Sequence, residues 1–200
     1  MKYYQEITIL PCTEVPAYFL WSKVYQKLHL GFASQKDVQG NIPVGVSFPS
    51  YRENEDSSSE GEEACALGYK LRLFAEDETV LERFALSKLL HRLEDYVHIT
   101  RVRPVPKNLK GYATYSRFHQ RNSVEQKARR YAKRHDVSYE DAEQLFPVQK
   151  FAEGLPYIQM KSSTNQNMFR LFIKKENKDY SVNEGFSSYG LSNRSTVPEF

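Results

Sequence analysis

The stretch YKLRLFA, residues 69–75, is the clearest strand in this 200-residue sequence. Its apolar residues alternate with Lys70 and Arg72, and this two-residue period turns one face of a strand toward a core. The apolar face consists of Tyr69, Leu71 and Leu73. The segment therefore predicts a half-buried strand, and the elements on either side of it decide the fold.

Helices and strands flank this strand in a recognisable order. After it, the leucine spacing of residues 77–94 predicts one amphipathic helix, and residues 96–105 predict the next strand. Before it, residues 3–10 and 42–49 predict strands, and residues 17–34 show helical spacing. The order β-α-β-β-α-β over about 105 residues is the split βαβ of a ferredoxin-like domain, a layout shared with RNA-recognition modules. The layout by itself says nothing about function.

The remainder of the chain predicts a second, smaller and basic α+β domain. It follows a linker at 104–112 and contains a basic helix at about 123–134, a short helix capped by Ser138, and the strands LPYIQMKSS and MFRLFIKK. The chain is therefore predicted to be α+β, with domains at residues 1–105 and 106–200.

Composition limits the classes of function. Hydrophobic residues make up 40% and charged residues 26% of the chain, which is ordinary for a globular protein. No window approaches the roughly 18 apolar residues of a membrane span. The cysteines and histidines have no metal-ligand spacing, and no glycine-rich nucleotide loop is present. The sequence thus predicts a cytoplasmic protein with no membrane partner and no metal or nucleotide cofactor.

The segment 51–65 is acidic and rich in serine, with few apolar residues. This composition predicts a mobile loop.

Positive charge is concentrated in residues 101–135. This segment holds eleven Lys or Arg and one acid, Glu125, a net +10 that leaves −7 for the rest of a chain whose total is +3. A basic segment on an otherwise acidic protein favours a polyanionic partner. A solvated lysine-rich helix is the alternative interpretation.

The stretch RRYAKRHD, residues 129–136, places these cations on one helical face. At 100° per residue, four of them fall within an arc of about 140°. They are Arg129, Arg130, Lys133 and Arg134. Such a helix can neutralise about four phosphates, which makes binding strongly salt-dependent. A short RNA stem opens its deep groove at its ends, where such a helix can enter. RNA is favoured slightly over DNA, because the ferredoxin-like layout is shared with RNA-recognition modules.

Four stretches form a more specific combination: VGVSFP (44–49), RFHQRN with RRYAKRHD (117–136), LPYIQMKSSTNQNMFRLFI (155–173) and GFSSYGLS (185–192). In order and spacing they resemble the repeat-RNA-processing endoribonucleases of type I-F CRISPR systems, over nearly all of the chain except the acidic segment. Members of that family bind a hairpin of the repeat RNA and cut at the 3′ base of its stem without a metal. They remain on the product as a subunit of the interference complex. The resemblance implies a ferredoxin-like domain followed by a domain with an arginine-rich helix.

The resemblance assigns catalysis to three residues. His29 in KLHLGFA matches the family's catalytic histidine, Ser162 its active-site serine and Tyr189 its active-site tyrosine. These residue types suit the reaction, because RNA carries its own nucleophile, the ribose 2′-OH. An imidazole can remove that proton near neutral pH, a hydroxyl can orient the nucleophile, and an aromatic ring can fix the imidazole. The products would be a 2′,3′-cyclic phosphate and a 5′-hydroxyl.

The resemblance also assigns contacts with RNA. Arg117 matches an arginine that reads a guanine edge, and His119 stands where the family has a glutamine that reads an adenine. Phe169 matches the aromatic that stacks at the base of the stem, and Thr164 replaces a second serine. The basic residues of this set are Arg121, Arg129, Arg130, Lys133, Arg134 and His135. Lys133 replaces an arginine, so a bidentate phosphate contact becomes a point charge.

Two other functions remain open at this level. The chain can be a non-catalytic subunit that caps an RNA hairpin, or a DNA-binding regulator that inserts the basic helix into a major groove. A pure binder needs none of the set His29, Ser162 and Tyr189, and a regulator needs a two-fold axis or a helix-turn-helix partner that is not visible. The sequence does not specify which repeat is bound or what happens to the product. It also does not specify the role of segment 51–65 or the purpose of the host system.

Overall fold

The computed structural model describes most of the chain. The described ranges are 1–52, 66–118, 124–145, 154–162 and 164–200, with only the backbone described for 124–127. Within them the protein is mixed α and β, with two antiparallel sheets and few helices. None of the described helices combines the length and the apolar character that crossing a bilayer requires.

The chain forms two compact units. The first consists of Met1–Arg117 together with Gly154–Phe200, and the second of Phe118–Glu153. The first unit therefore includes residues from both ends of the sequence. The predicted boundary at residues 105/106 is not a boundary between these compact units, and the assignment of RNA binding to residues 106–200 stays a prediction.

The first sheet is arranged around strand β1 (Tyr3–Ile9). β1 pairs antiparallel with β3 (Lys70–Ala75) along one edge, and with β4 (Val97–Ile99) and β5 (Arg103–Pro104) along the other. Strand β2 (Gly45–Ser47) continues the sheet beyond β3, which gives the order β2-β3-β1-β4. The alternation in YKLRLFA holds from residue 70, since Leu71 and Leu73 are buried, whereas Tyr69 is 43% exposed.

Helix α1 (Ala17–Ala33) packs its apolar side into the core of this unit. It begins after Pro16, whose carbonyl accepts hydrogen bonds from the N–H groups of Phe19 and Leu20. Its buried residues are Leu20, Trp21, Val24, Tyr25, Leu28 and Phe32. The indole N–H of Trp21 donates to the carbonyl of Gly68 at 2.8 Å, so the largest buried ring has its polar group satisfied.

The predicted single helix over residues 77–94 is wrong. Helix α2 (Glu78–Phe84) ends where Ala85 adopts a left-handed φ of 47°, and the short helix α3 (Leu86–Leu89) starts in a new direction. A 3-10 turn at His91–Leu93 completes the segment. The break lets the side chains on both sides of Ala85 reach the core, which a straight helix with one apolar stripe would not allow. The predicted strand at 96–105 is likewise divided into β4 and β5.

A second sheet contains two strands that the sequence pattern did not indicate. Strands β7 (Tyr157–Lys161) and β8 (Met168–Lys178) confirm the predicted pair, whereas β6 (Gly111–Phe118) and β9 (Val197–Glu199) were missed. The order is β7-β8-β6-β9, so β7 lies at one edge of the sheet. The linker predicted at residues 104–112 therefore overlaps the start of β6 at Gly111.

The second unit contains two helices that contact each other. Helix α4 (Val124–His135) lies in the segment where a basic helix was expected at about 123–134. Helix α5 (Tyr139–Gln144) begins at the predicted cap, because the hydroxyl of Ser138 accepts the backbone N–H of Asp141 at 3.0 Å.

Candidate active site

His29 lies on α1 and is held by one short hydrogen bond. Its Nδ1 atom is 2.7 Å from the backbone carbonyl oxygen of Ser188. A carbonyl can only accept, so Nδ1 carries the hydrogen of this bond. In the neutral imidazole the lone pair therefore lies on Nε2, which is the form of histidine that can accept a proton from a substrate.

The ring of Tyr189 fixes the plane of this imidazole. The two ring centroids are 4.3 Å apart and the planes differ by 7°, so the rings are stacked face to face. Tyr189 is itself held through its backbone, because the hydroxyl of Tyr25 donates to the Tyr189 carbonyl at 2.8 Å. Burial, with a smaller contribution from Tyr189, raises the pKa of Tyr25, so this donor keeps its proton.

The turn that carries Tyr189 requires a glycine at the next position. Gly190 has a φ of 70°, and its N–H donates to the carbonyl of Ser187 at 2.8 Å. Its carbonyl accepts the N–H of Val46 on β2 at 2.9 Å. A Cβ atom at residue 190 would lie 2.4 Å from Cγ2 of Val46. Both the backbone conformation and the close approach to β2 therefore select glycine.

Arg117 connects Tyr189 with Phe169. The guanidinium carbon of Arg117, on β6, is 5.2 Å from the ring centroid of Tyr189 and 5.2 Å from that of Phe169, on β8. Together with His29, which stacks on Tyr189, these four side chains form one contiguous group, here called the aromatic column. All four are partly exposed. Four residues far apart in sequence are thus brought into contact in the first unit.

Ser162 directly follows β7, at the start of the turn that leads to β8. Its N–H donates to the carbonyl of Asn167 at 2.9 Å, and its carbonyl accepts the N–H of Gln166 at 3.0 Å. The Ser162 hydroxyl accepts the N–H of Asn165 at a long 3.4 Å. Thr164 is exposed in the same turn. The backbone of Ser162 is therefore fixed, while its hydroxyl is only weakly engaged.

Two polar residues of α1 that the sequence analysis missed join this helix to β7. The hydroxyl of Ser22 donates to the carbonyl of Gln159 at 2.6 Å. The side-chain amide of Gln26 donates to the carbonyl of Lys161 and accepts its N–H, both at 3.0 Å. The available signal was the helical spacing of the polar residues 22, 26 and 29, which places them on one side of the helix.

The predicted phosphate-binding residues of the second unit are exposed on α4. They are Arg129, Arg130, Lys133, Arg134 and His135. The ring of His135 stacks on Tyr131 with a centroid separation of 4.2 Å. The remaining two RNA-binding candidates, His119 and Arg121, lie outside the described residues.

No group of three or more His, Cys, Asp or Glu side chains in the described part of the chain could hold a metal ion. The site consists of an oriented imidazole, a tyrosine stacked on it, an arginine beside that tyrosine, and a serine on a fixed turn. Ser162 is joined to the helix of His29 through Lys161 and Gln26. This set offers a proton acceptor, hydroxyl groups and a cation around a partly exposed surface.

Known proteins resemble this chain over its whole length. A solved structure described as an RAMP protein binding different RNA substrates aligns with 98% of this chain and 100% of its own, at 7% identity and a TM-score of 0.37. The CRISPR-associated endonuclease Cas6/Csy4 of Escherichia coli (strain UTI89 / UPEC) is 32% identical over 204 residues, and that of Pseudomonas aeruginosa (strain UCBPP-PA14) is 31% identical over 202 residues. Both alignments cover 100% of each chain. Residues 4–200 match the model of the CRISPR-associated protein family Cas_Csy4. The chain therefore belongs to the Cas_Csy4 family of CRISPR-associated proteins.

Proposed function

We propose that this protein is a sequence-specific endoribonuclease that binds the stem-loop of CRISPR repeat RNA and cuts it at the 3′ base of the stem. The cut uses the ribose 2′-OH as the nucleophile and needs no metal. Two full-length relatives named as endonucleases support the enzymatic activity. The observation that carries the proposal is the 2.7 Å bond from His29 Nδ1 to the Ser188 carbonyl, because it leaves Nε2 as the basic atom.

His29 acts as the general base in this proposal. It removes the proton of the 2′-OH, whose oxygen then attacks the adjacent phosphorus. The bond from phosphorus to the 5′-oxygen of the next nucleotide breaks, and that oxygen takes up a proton from solvent. The products are a 2′,3′-cyclic phosphate and a 5′-hydroxyl. A positioned general base accelerates such a step about 10²- to 10⁴-fold. Stacking on Tyr189 keeps the imidazole from rotating out of line between turnovers.

Ser162 orients the 2′-OH for attack. Among the described residues its hydroxyl has one hydrogen bond, a long one from the Asn165 N–H, so it can exchange that bond for one to the ribose at little cost. Orientation of a nucleophile can supply several kcal/mol of the barrier reduction. Thr164, exposed on the same turn, contacts the RNA strand at the cut.

Two residues of the aromatic column, Phe169 and Arg117, recognise the RNA stem. Phe169 stacks on the base pair at the foot of the stem, and Arg117 reads a guanine edge. The two roles are compatible, because an arginine stacks through the flat face of its guanidinium and keeps the N–H groups at its rim for hydrogen bonds. Such a contact is usually bidentate, with two N–H groups of one guanidinium donating to O6 and N7 of the guanine.

Helix α4 supplies the main electrostatic attraction. Its exposed cations bind phosphates of the stem. His119, at the position of a base-reading glutamine in the family, and Arg121 complete the proposed set of RNA contacts. The binding residues on α4 are Arg129, Arg130, Lys133, Arg134 and His135. Each neutralised phosphate releases counterions, so affinity falls as salt rises. Lys133 contributes a point charge rather than a two-pronged contact.

The first sheet and the helices α1 and α2 are proposed to form a ferredoxin-like domain. The β2-β3-β1-β4 order, with α1 after β1 and α2 after β3, supports it. We also propose that the protein stays on its product as a subunit of a type I-F interference complex, as the family resemblance implies.

Incubation of the protein with a labelled repeat hairpin in excess EDTA tests this function. The repeat is taken from the CRISPR array of the same genome. We expect one cut at the 3′ base of the stem and a product that ends in a 2′,3′-cyclic phosphate. A hairpin with a 2′-deoxy sugar at the cut should bind and stay intact.

Three other results would contradict the proposal. Binding of the unmodified hairpin without cutting would identify a capping subunit. Preference for duplex DNA would identify a regulator. Cutting that stops in EDTA would show that the chemistry needs a metal.

A further inference from the structure

Three of the polar residues of α1, at positions 22, 26 and 29, lie on one side of the helix. At 100° per residue, Ser22, Gln26 and His29 fall within an arc of about 60°. Ser22 and Gln26 are both hydrogen-bonded to β7, and His29 is bonded to the turn that carries Tyr189. One narrow stripe of α1 thus holds both structural segments that carry the proposed catalytic residues.

The contact with β7 uses backbone groups that would otherwise lack a strand partner. Among the described strands β7 is at the edge of its sheet, with β8 as its one partner. Gln159 and Lys161 are two residues apart, so their backbone groups point to the same side of the strand. Gln26 occupies this side as a neighbouring strand would, with one bond to the Lys161 N–H and one to its carbonyl.

We propose that Gln26 is a positioning residue for the cleavage reaction, acting through Lys161 on Ser162. The inference rests on the proposed function and adds to it a residue that fixes the distance between the base and the serine. Gln26 lies three positions before His29 on the same rigid helix, and Lys161 is the residue directly before Ser162. The path from imidazole to hydroxyl is therefore one helical turn, two hydrogen bonds and one peptide unit.

Two bonds from one side chain define a geometry that one bond does not. A single hydrogen bond lets the strand pivot about it, whereas paired donor and acceptor contacts fix both the position and the direction of the Lys161 peptide groups. Displacement of a reacting group by about 1 Å can lower a rate up to about 10²-fold. Loss of Gln26 should therefore slow the attack step without changing the surfaces that bind RNA.

The alternative role of Gln26 is to stabilise the edge of the sheet, and Ser22 provides the matched control. Ser22 makes a helix-to-strand bond of the same kind, but to Gln159, three residues before Ser162. A purely structural role predicts similar effects for Ser22→Ala and Gln26→Ala. A positioning role predicts that only Gln26→Ala changes the rate of cutting.

The test measures single-turnover cleavage of the repeat hairpin by the full-length protein at saturating enzyme. Affinity is measured separately with the 2′-deoxy hairpin. We expect Gln26→Ala to cut about tenfold more slowly with a dissociation constant within about twofold of wild type. Ser22→Ala should lower the thermal midpoint but cut within about twofold of the wild-type rate. Gln26→Glu keeps the side-chain length and an acceptor but loses the donor, so its cutting rate should lie between those of Gln26→Ala and Ser22→Ala. This variant keeps the test usable even if Gln26→Ala is unstable.

A double variant decides whether the effect passes through Ser162. In a Ser162→Ala background, Gln26→Ala should cause no further slowing, because the group that it positions is absent. Equal slowing with and without Ser162, or slowing by Ser22→Ala as large as by Gln26→Ala, would overturn the inference while leaving the nuclease intact. A wild-type protein that does not cut the hairpin would instead overturn the proposed function, and the role of Gln26 with it.

Discussion

The aromatic column and helix α4 are organised by different physical requirements. In the column each side chain has a fixed neighbour, from the 2.7 Å bond of His29 to the paired contacts of Arg117. On α4 the cations extend from one exposed face. Proton transfer depends on distances of a few tenths of an ångström, whereas attraction to phosphate depends mainly on charge and acts over about 10 Å at ordinary salt.

This difference predicts that the two regions control separate measurable quantities. Changes to His29 and Tyr189, the two column residues proposed to act in catalysis, should act on the rate of cutting, with little effect on the salt dependence of binding. Changes on α4 should act on affinity and its salt slope, with little effect on the rate at saturation. Single substitutions in each region can test that separation, in order of decreasing expected effect.

The largest effect is expected for His29→Ala. Removing the base should slow single-turnover cutting at least about 100-fold, while the dissociation constant of the 2′-deoxy hairpin stays within about twofold. His98→Ala, which removes an exposed histidine on β4, should cut at the wild-type rate. Normal cutting by the His29 variant would remove this residue from the mechanism, and an equal loss of binding would end the separation between the two regions.

A smaller effect, on stability, is expected for Gly190→Ala. The left-handed φ and the contact with Val46 together should cost about 3 kcal/mol in the free energy of unfolding. For a protein of this size that is a drop of roughly 6–12 °C in the thermal midpoint, and cutting should slow because the turn also carries Tyr189.

Gly40→Ala separates the two causes in this experiment. Gly40 has a φ of 83°, but a Cβ atom added there would have no other atom within 4 Å, so only the backbone strain applies. Its midpoint should fall by about half as much or less, with cutting unchanged. Equal losses in the two variants would show that the contact with Val46 does not restrict the turn.

The smallest effect is expected for Arg130→Ala on α4. It should weaken hairpin binding about tenfold at moderate salt and reduce the slope of log affinity against log salt by about one. The cutting rate at saturating enzyme should not change. Arg83→Ala, an exposed cation on α2, serves as the control and should leave the slope as in wild type. A change in the saturated rate would show that α4 also takes part in catalysis.

Local patterns were sufficient where one segment decides its own structure. The alternation in YKLRLFA, the strands LPYIQMKSS and MFRLFIKK, and the basic helix all appear close to their predicted places. The pattern failed where a neighbour decides. Ala85 breaks the predicted helix because packing on both sides of it favours a left-handed residue, and β9 has only three residues, whose pairing with β6 carries no periodic signal.

The candidate site shows the same division. The resemblance singled out His29, Tyr189, Arg117 and Phe169, and the structure brings these four into one column. Gln26 was overlooked, since a glutamine on a helix is ordinarily solvated and its partner is a backbone group 135 positions away.

The sequence by itself determined most of the strands and helices, where the cations gather and to which family the chain is similar. These properties follow from the order of neighbouring residues, because backbone preference and charge are local. Only the tertiary structure decided which nitrogen of His29 is free, which ring covers it and which helix side chain holds the strand before Ser162. Those features are contacts between segments far apart in the chain, and a contact exists only once folding has brought both partners together.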